Sequence, residues 1–217
     1  MLNLGLDGAQ TDVSSLLVVG AHCDDIEIGC GGSILRILSA WPEASITWVV
    51  LTGDAVRTAE ARLSAAAFAP NRPMRLEIGE FTDGYVPYQG AAVKDFVADL
   101  ARRISPDVIF VPNKNDAHQD HRFAAELIYQ TFRDHLILEY EIPKYDGDMG
   151  SPNVYVQLSR EIGERKIAMI LEQFPSQNNK EWFTADTFRS LLRLRGIEAR
   201  APEGLAEAFY CRKLLLA

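Results

Sequence analysis

The chain has 217 residues, 47% of them hydrophobic, and carries 22 Lys and Arg against 30 Asp and Glu, a formal net charge of −8. That length suits one domain whose core can stand without disulfides, and the acidic balance argues against a nucleic-acid surface, which needs Lys and Arg clustered on one face. Three cysteines, Cys23, Cys30 and Cys211, show no framework spacing and fit a reducing compartment, so a cytoplasmic location is expected.

The opening residues, MLNLGLDGAQTDVSS, lack a basic n-region, and no apolar run approaches the roughly 20 residues that span a bilayer. Neither signal peptide nor membrane anchor is expected. Four β-rich runs come next in the chain, at 16–20, 46–52, 74–78 and 108–112, separated by helical periodicity over 33–41, 57–69 and 91–104. This β-α-β alternation predicts a Rossmann-like α/β fold, a mostly parallel sheet with helices on both faces. A helix over 117–133 and a strand over 135–140 continue it. The stretch 142–153, IPKYDGDMGSPN, is the most loop-like part. Helices over 160–174 and 185–196 and a strand over 208–215 follow, with Pro175 ending the first helix and Gly196 set as the C′ residue of the second. A single domain is expected, residues 1–141 forming the core and 142–217 a C-terminal α/β lobe.

Two polar clusters fall at strand ends, where open α/β sheets bind ligands. The first, in GAHCDDIEIGCGG, holds His22, Asp24, Asp25 and Glu27; the second follows 108–112 and holds Asn113, Asp116, His118, Asp120 and His121. Two imidazoles and one carboxylate suit a borderline-soft divalent cation, and His22, Asp25 and His121 could supply them while leaving a position open for water. Alone, the Asp24-Asp25 pair is also what a helix-capping turn would give, and His118 and His121 at i, i+3 what one exposed and one partly buried, satisfied histidine would give; their joint placement favours the metal. Gly29, Gly31 and Gly32 lack the G-x-G-x-x-G spacing of a nucleotide fingerprint, and the preceding carboxylates would repel a pyrophosphate. They are expected to allow a tight turn and a helix starting at Ser33 close to the sheet.

The run from His22 to Gly32 resembles the signature A-H-P-D-D-x-E-x-G-x-G-G of the LmbE-like (PIG-L) N-acetylglucosaminyl deacetylases, and His118-Gln119-Asp120-His121 resembles their H-P-D-H. Arg57-x-x-Glu60 with Ala65-Ala66 is similar to the family's R-x-x-E-x-x-x-A-A helix, and Lys166 with Phe174-Pro175-Ser176-Gln177 to its K…Y-x-S-Q ending. Cys23 and Gln119 replace the family's usual prolines, and Cys23 is expected to be an apolar filler and not a zinc thiolate.

The resemblance implies zinc, with Fe2+ as the other candidate, held by His22, Asp25 and His121. It further implies Asp24 as general base, His118 as an imidazolium stabilising the oxyanion, and Asp120 holding the second nitrogen of His118 and raising its pKa. Arg57, Asp83 and Tyr85, with Tyr88 nearby, are the expected substrate contacts. The implied reaction is removal of an N-acetyl group from an amino sugar or its conjugate, releasing acetate. Alternatives are an amidase for a larger acyl group and a non-catalytic sugar- or nucleotide-binding module. The expected partner is the small amino-sugar substrate, with no nucleic acid and no membrane; a homo-oligomer is compatible with the sequence.

Overall fold

The computed structural model describes residues 13–215, so most of the N-terminal stretch read as leaderless lies outside the described residues. Five strands, β1 (Ser15–Gly20), β2 (Ser45–Thr52), β3 (Met74–Phe81), β4 (Val108–Pro112) and β5 (Leu136–Tyr140), run parallel. β7 (Leu205–Tyr210) pairs antiparallel with both β5 and β6 (Val154–Leu158), which gives the order β3-β2-β1-β4-β5-β7-β6. The helices are α1 (Asp25–Ala40), α2 (Ala55–Phe68), α3 (Gly90–Arg103), α4 (Gln119–Thr131), α5 (Arg160–Gln173) and α6 (Ala185–Glu198). Among the described residues no helix is long and apolar enough to cross a membrane.

Strand alternation builds the two-faced core. In β1, Leu16 and Val18 face one hydrophobic layer with α1, α2, α5 and α6, while Leu17 and Val19 face the other with α3 and α4. Residues on β2 divide the same way, Ile46, Trp48 and Val50 to the first layer and Val49 and Leu51 to the second. Period-2 side chains that are apolar on both faces are what a central parallel strand requires. The order reverses between β1 and β4, and the crevice outside such a switch point is the standard ligand position of an open α/β sheet.

Several expectations are corrected. The helix expected over 33–41 begins at Asp25, so the three glycines lie inside α1 and not in a turn. Their small size serves packing instead: a Cβ on Gly29 would stand 2.1 Å from a ring carbon of Tyr140, whose hydroxyl donates to the Val19 carbonyl at 2.6 Å. Gly196 is also inside its helix, where a Cβ would meet the Gly204 carbonyl oxygen at 2.1 Å. α6 is ended by Arg200, at φ 51°, and the Ala201 N–H closes back onto the Gly196 carbonyl at 2.9 Å, the pattern of a Schellman cap. The final strand starts three residues earlier than expected, and β6 was not anticipated: its five residues are mostly half-buried at the sheet edge, so their pattern carries no polar-apolar contrast.

Lys166 and Glu207 tie the last third of the chain to α1. Lys166 Nζ donates to Glu207 Oε1 at 2.6 Å and to the Ile28 carbonyl at 2.7 Å, and Glu207 accepts the N–H groups of Gly32 at 2.8 Å and Ser33 at 2.6 Å. The pair is buried and each charge is met by hydrogen bonds, the condition under which ions are tolerated in a core.

Candidate metal centre

The chain leaves β1 and turns directly into α1, with the Asp25 carboxylate accepting the backbone N–H of His22 at 2.8 Å. That one bond fixes two candidate ligands relative to each other. After β4 the chain descends through short local bonds: Asn113 Oδ1 accepts the Asn115 N–H at 2.6 Å, Asp116 Oδ1 the His118 N–H at 2.7 Å, and His118 Nδ1 the Asp120 N–H at 3.2 Å. His118 thereby caps α4, and His121 points inward with 2% of its surface exposed.

The two loops bring His22 Nδ1 and His121 Nε2 to 3.1 Å, and Asp25 Oδ2 to 3.5 Å from the first and 3.2 Å from the second. Ligand atoms at the corners of a tetrahedron around zinc, with bonds of about 2.0–2.1 Å, are about 3.3 Å apart. The donor set fits that ion in type and in spacing. Charge argues the same way. Burial disfavours the charged forms of both rings, yet Asp25, helped at His22 by Asp120 and Asp83 and at His121 by Asp116, raises His22 well above its ordinary value and His121 to about 9. Burial likewise opposes charge on Asp25, and the two rings outweigh it and pull its pKa well down. Protons on both facing nitrogens would collide across 3.1 Å, whereas one cation can replace them and leave two neutral imidazole ligands.

Carboxylates back both rings. Asp116 Oδ2 lies 3.0 Å from His121 Nδ1, while His22 Nε2 has Asp83 Oδ1 at 3.1 Å and Asp120 Oδ2 at 3.5 Å. Donor atoms of His22, Asp83 and Asp120 also converge within 4.8 Å, as do those of His22, His118 and His121. The expected pairing of the Asp120 carboxylate with His118 is not formed. Asp120 instead accepts the N–H groups of Gly84 at 2.7 Å and Val86 at 3.2 Å, pinning the loop after β3 against His22. The reason is local: His118 Nδ1 is already occupied as the cap of α4. Nor is the His118 pKa raised; burial, then the charges of His22 and His121, lower it.

Asp24 is buried beside the cluster and forms an ion pair with the Arg57 guanidinium, whose Nη1 is 3.8 Å from Asp83 Oδ2. Arg57 is thus brought to the site through Asp24. Tyr85 and Tyr88 are 60% and 76% exposed, with ring centroids 5.9 Å apart. Glu27 points away: it is fully buried, accepts the Ser64 hydroxyl, and burial pushes its pKa up to about 8. The Cys23 thiol meets the Thr52 carbonyl at 3.3 Å and burial raises its pKa to about 12, which suits the filler expected from the sequence. Sequence reasoning noticed Asp116 without a role and missed Lys144, whose Nζ is 3.0 Å from Asp116; a lysine in a loop gives no signal of that contact.

Comparison with known proteins places this geometry in context. A curated relative, the diacetylchitobiose deacetylase of Thermococcus kodakarensis, is 23% identical over 141 residues, 58% of this chain, and the match spans about half of that relative's length, 52%. The crystal structure of the N,N'-diacetylchitobiose deacetylase of Pyrococcus horikoshii superposes with a TM-score of 0.70 at 18% identity, covering 92% of this chain and 84% of its own. The 4-carboxy-2-hydroxymuconate hydratase of Pseudomonas putida superposes with a TM-score of 0.76 at 16% identity, covering 94% and 98%. The family model described as PIG-L, GlcNAc-PI de-N-acetylase, matches residues 17–132, more than half of the chain, from within β1 through both loops that carry the candidate ligands, and the chain therefore belongs to the PIG-L family.

Proposed function

We propose that this protein is a metal-dependent hydrolase that removes the N-acetyl group from an amino sugar or its conjugate, releasing acetate and a free amine. The observation that carries the reading is the convergence of His22 Nδ1, His121 Nε2 and Asp25 Oδ2, with the carboxylate of Asp24 buried beside them and not spent on the ligand set. Relatives named as diacetylchitobiose deacetylases supply the substrate class. Zinc is the favoured ion, with Fe2+ the alternative that the same donor types accept.

A zinc ion held by these three side chains supplies a Lewis acid for the acetyl carbonyl and lowers the pKa of water. Asp24 takes the proton of the attacking water on Oδ2, since Oδ1 is held by Arg57. The water oxygen bonds to the acetyl carbon, the C–N bond breaks, and the proton goes to the departing amine. His118 acts on the oxyanion. Because its Nδ1 accepts the Asp120 N–H, its proton sits on Nε2, and a neutral imidazole donating from there replaces the imidazolium first expected. Arg57 and Asp83 line the approach and are assigned to sugar hydroxyls; Tyr85, exposed at the rim, is assigned to the ring face.

A fold shared with a named hydratase does not fix the reaction, so the test must separate chemistries. Zinc-loaded and anaerobically Fe2+-loaded protein should release acetate and primary amine in equal amounts from some member of a panel of N-acetylglucosamine, its disaccharide, and nucleotide- and lipid-linked forms. Release of a longer acyl group alone would select the amidase. No release from any member, with water addition to an unsaturated tricarboxylate instead, would overturn the reading.

A further inference from the structure

We infer that Lys144 is a positioning residue for the metal ligand His121, acting through Asp116, so that the 142–153 segment and the metal are energetically linked. The inference rests on the metal reading above. The segment has no regular secondary structure, yet two of its three charged side chains, Lys144 and Asp148, are largely buried, while Asp146 is exposed. Lys144 has only 10% of its side chain exposed, and its Nζ reaches Asp116 Oδ2 at 3.0 Å and both Asp148 oxygens at 2.7 and 2.6 Å. That same Asp116 oxygen is the one 3.0 Å from His121 Nδ1. Asp148 also accepts the Ala117 N–H at 2.6 Å, next to Asp116 in the chain. Lys144 and Asp148 therefore grip the ligand loop from two sides.

The far end of the segment is anchored separately. Arg195 holds Glu141 with two bonds of 2.9 Å and donates to the Gly150 carbonyl at 3.1 Å, while the Gly150 N–H donates to Glu141 at 3.2 Å. With its ends fixed, the segment presents Lys144 to Asp116 in one position. A ligand imidazole is oriented by what its second nitrogen meets, and carboxylates in that place typically change metal affinity 10–100-fold when altered. The His118 N–H holds Asp116 only through Oδ1, so without Lys144 the carboxylate could pivot about that bond and carry Oδ2 away from His121. Linkage makes the effect reciprocal: if seating the segment tightens metal binding, bound metal must stabilise the seated segment by the same factor.

The test uses zinc on the full chain, titrated in competition with a chromogenic chelator. Lys144→Met should weaken zinc binding about 10-fold, Lys144→Arg should restore most of it, and Asp148→Asn should fall between. Zinc should slow proteolytic cleavage within 142–153 in the wild type and much less in Lys144→Met. If Lys144→Met fails to fold, Asp148→Asn carries the same comparison. Wild-type zinc affinity in Lys144→Met and Asp148→Asn would overturn the proposal, as would equal loss in Lys144→Arg. A wild type that binds no divalent metal would instead sink the metal reading itself, a result visible before any variant is made.

Discussion

Glu60 on α2 receives both donors of Ser176, the backbone N–H at 2.9 Å and the hydroxyl at 2.6 Å. Two motifs far apart in sequence thus meet, and one helical turn before Glu60 on the same face Arg57 reaches Asp24. The brace fixes α2 against the turn after α5. Glu60→Ala should cost about 0.5–1.5 kcal/mol of stability by removing the acceptor of two hydrogen bonds whose donors, on the exposed Ser176, can turn to water, with metal stoichiometry unchanged, measured by urea titration and metal analysis. Metal loss with intact stability would reassign Glu60 to the site.

The paired aspartates should behave differently. Asp25→Ala removes a donor atom and should lose metal and activity together; Asp24→Ala should retain the metal while kcat falls about 10²–10⁴-fold, the usual scale of general base catalysis. Equal metal loss in both would show that the assignment of the two is wrong.

His118 and Asp120 should also separate. Asp120 supports the His22 side of the cluster and the loop after β3, so Asp120→Asn should weaken metal binding by about 10-fold. His118→Ala should keep metal and lower kcat and kcat/KM together by about 10²–10³, the cost of one oxyanion donor. A shift in the pH profile of Asp120→Asn without metal loss would restore the direct pairing of the two.

The buried pair of Lys166 and Glu207 gives a stability cycle. Either Lys166→Met or Glu207→Leu alone leaves a buried charge and should cost about 3–5 kcal/mol, while the double variant should cost less than the sum. Additive losses in denaturant titrations would mean the two charges do not stabilise each other.

Asp107 makes a pH-dependent tether. Burial alone would raise its pKa, but the hydroxyls and N–H groups of Ser14 and Ser15 outweigh this and hold it below its ordinary value of 3.8. A depressed carboxylate stabilises the fold above its unfolded pKa and loses that contribution as pH falls through the folded one. Asp107→Asn should therefore melt below wild type at neutral pH, with the gap constant down to about pH 4 and closing below it. A gap that widens in acid would contradict the tether.

The order of strands and helices through β5 and the two loops that carry the candidate ligands were legible in the sequence, because apolar periodicity and strand-end clusters are local properties of the chain. His22, Asp25 and His121 stand out as candidate ligands by residue type and position, and the structure brings their donor atoms to 3.1–3.5 Å of one another. What tertiary structure decided were the partners: that Asp120 turns to Gly84, Val86 and His22 and not to His118, that Lys144 reaches Asp116, and that Gly29 makes room for Tyr140. β6 escaped as well, since an edge strand of half-buried residues has no contrast to read. Each of these depends on which distant surfaces meet once the sheet closes its order, and a side chain with several possible partners takes the one that packing leaves nearest, which no local pattern encodes.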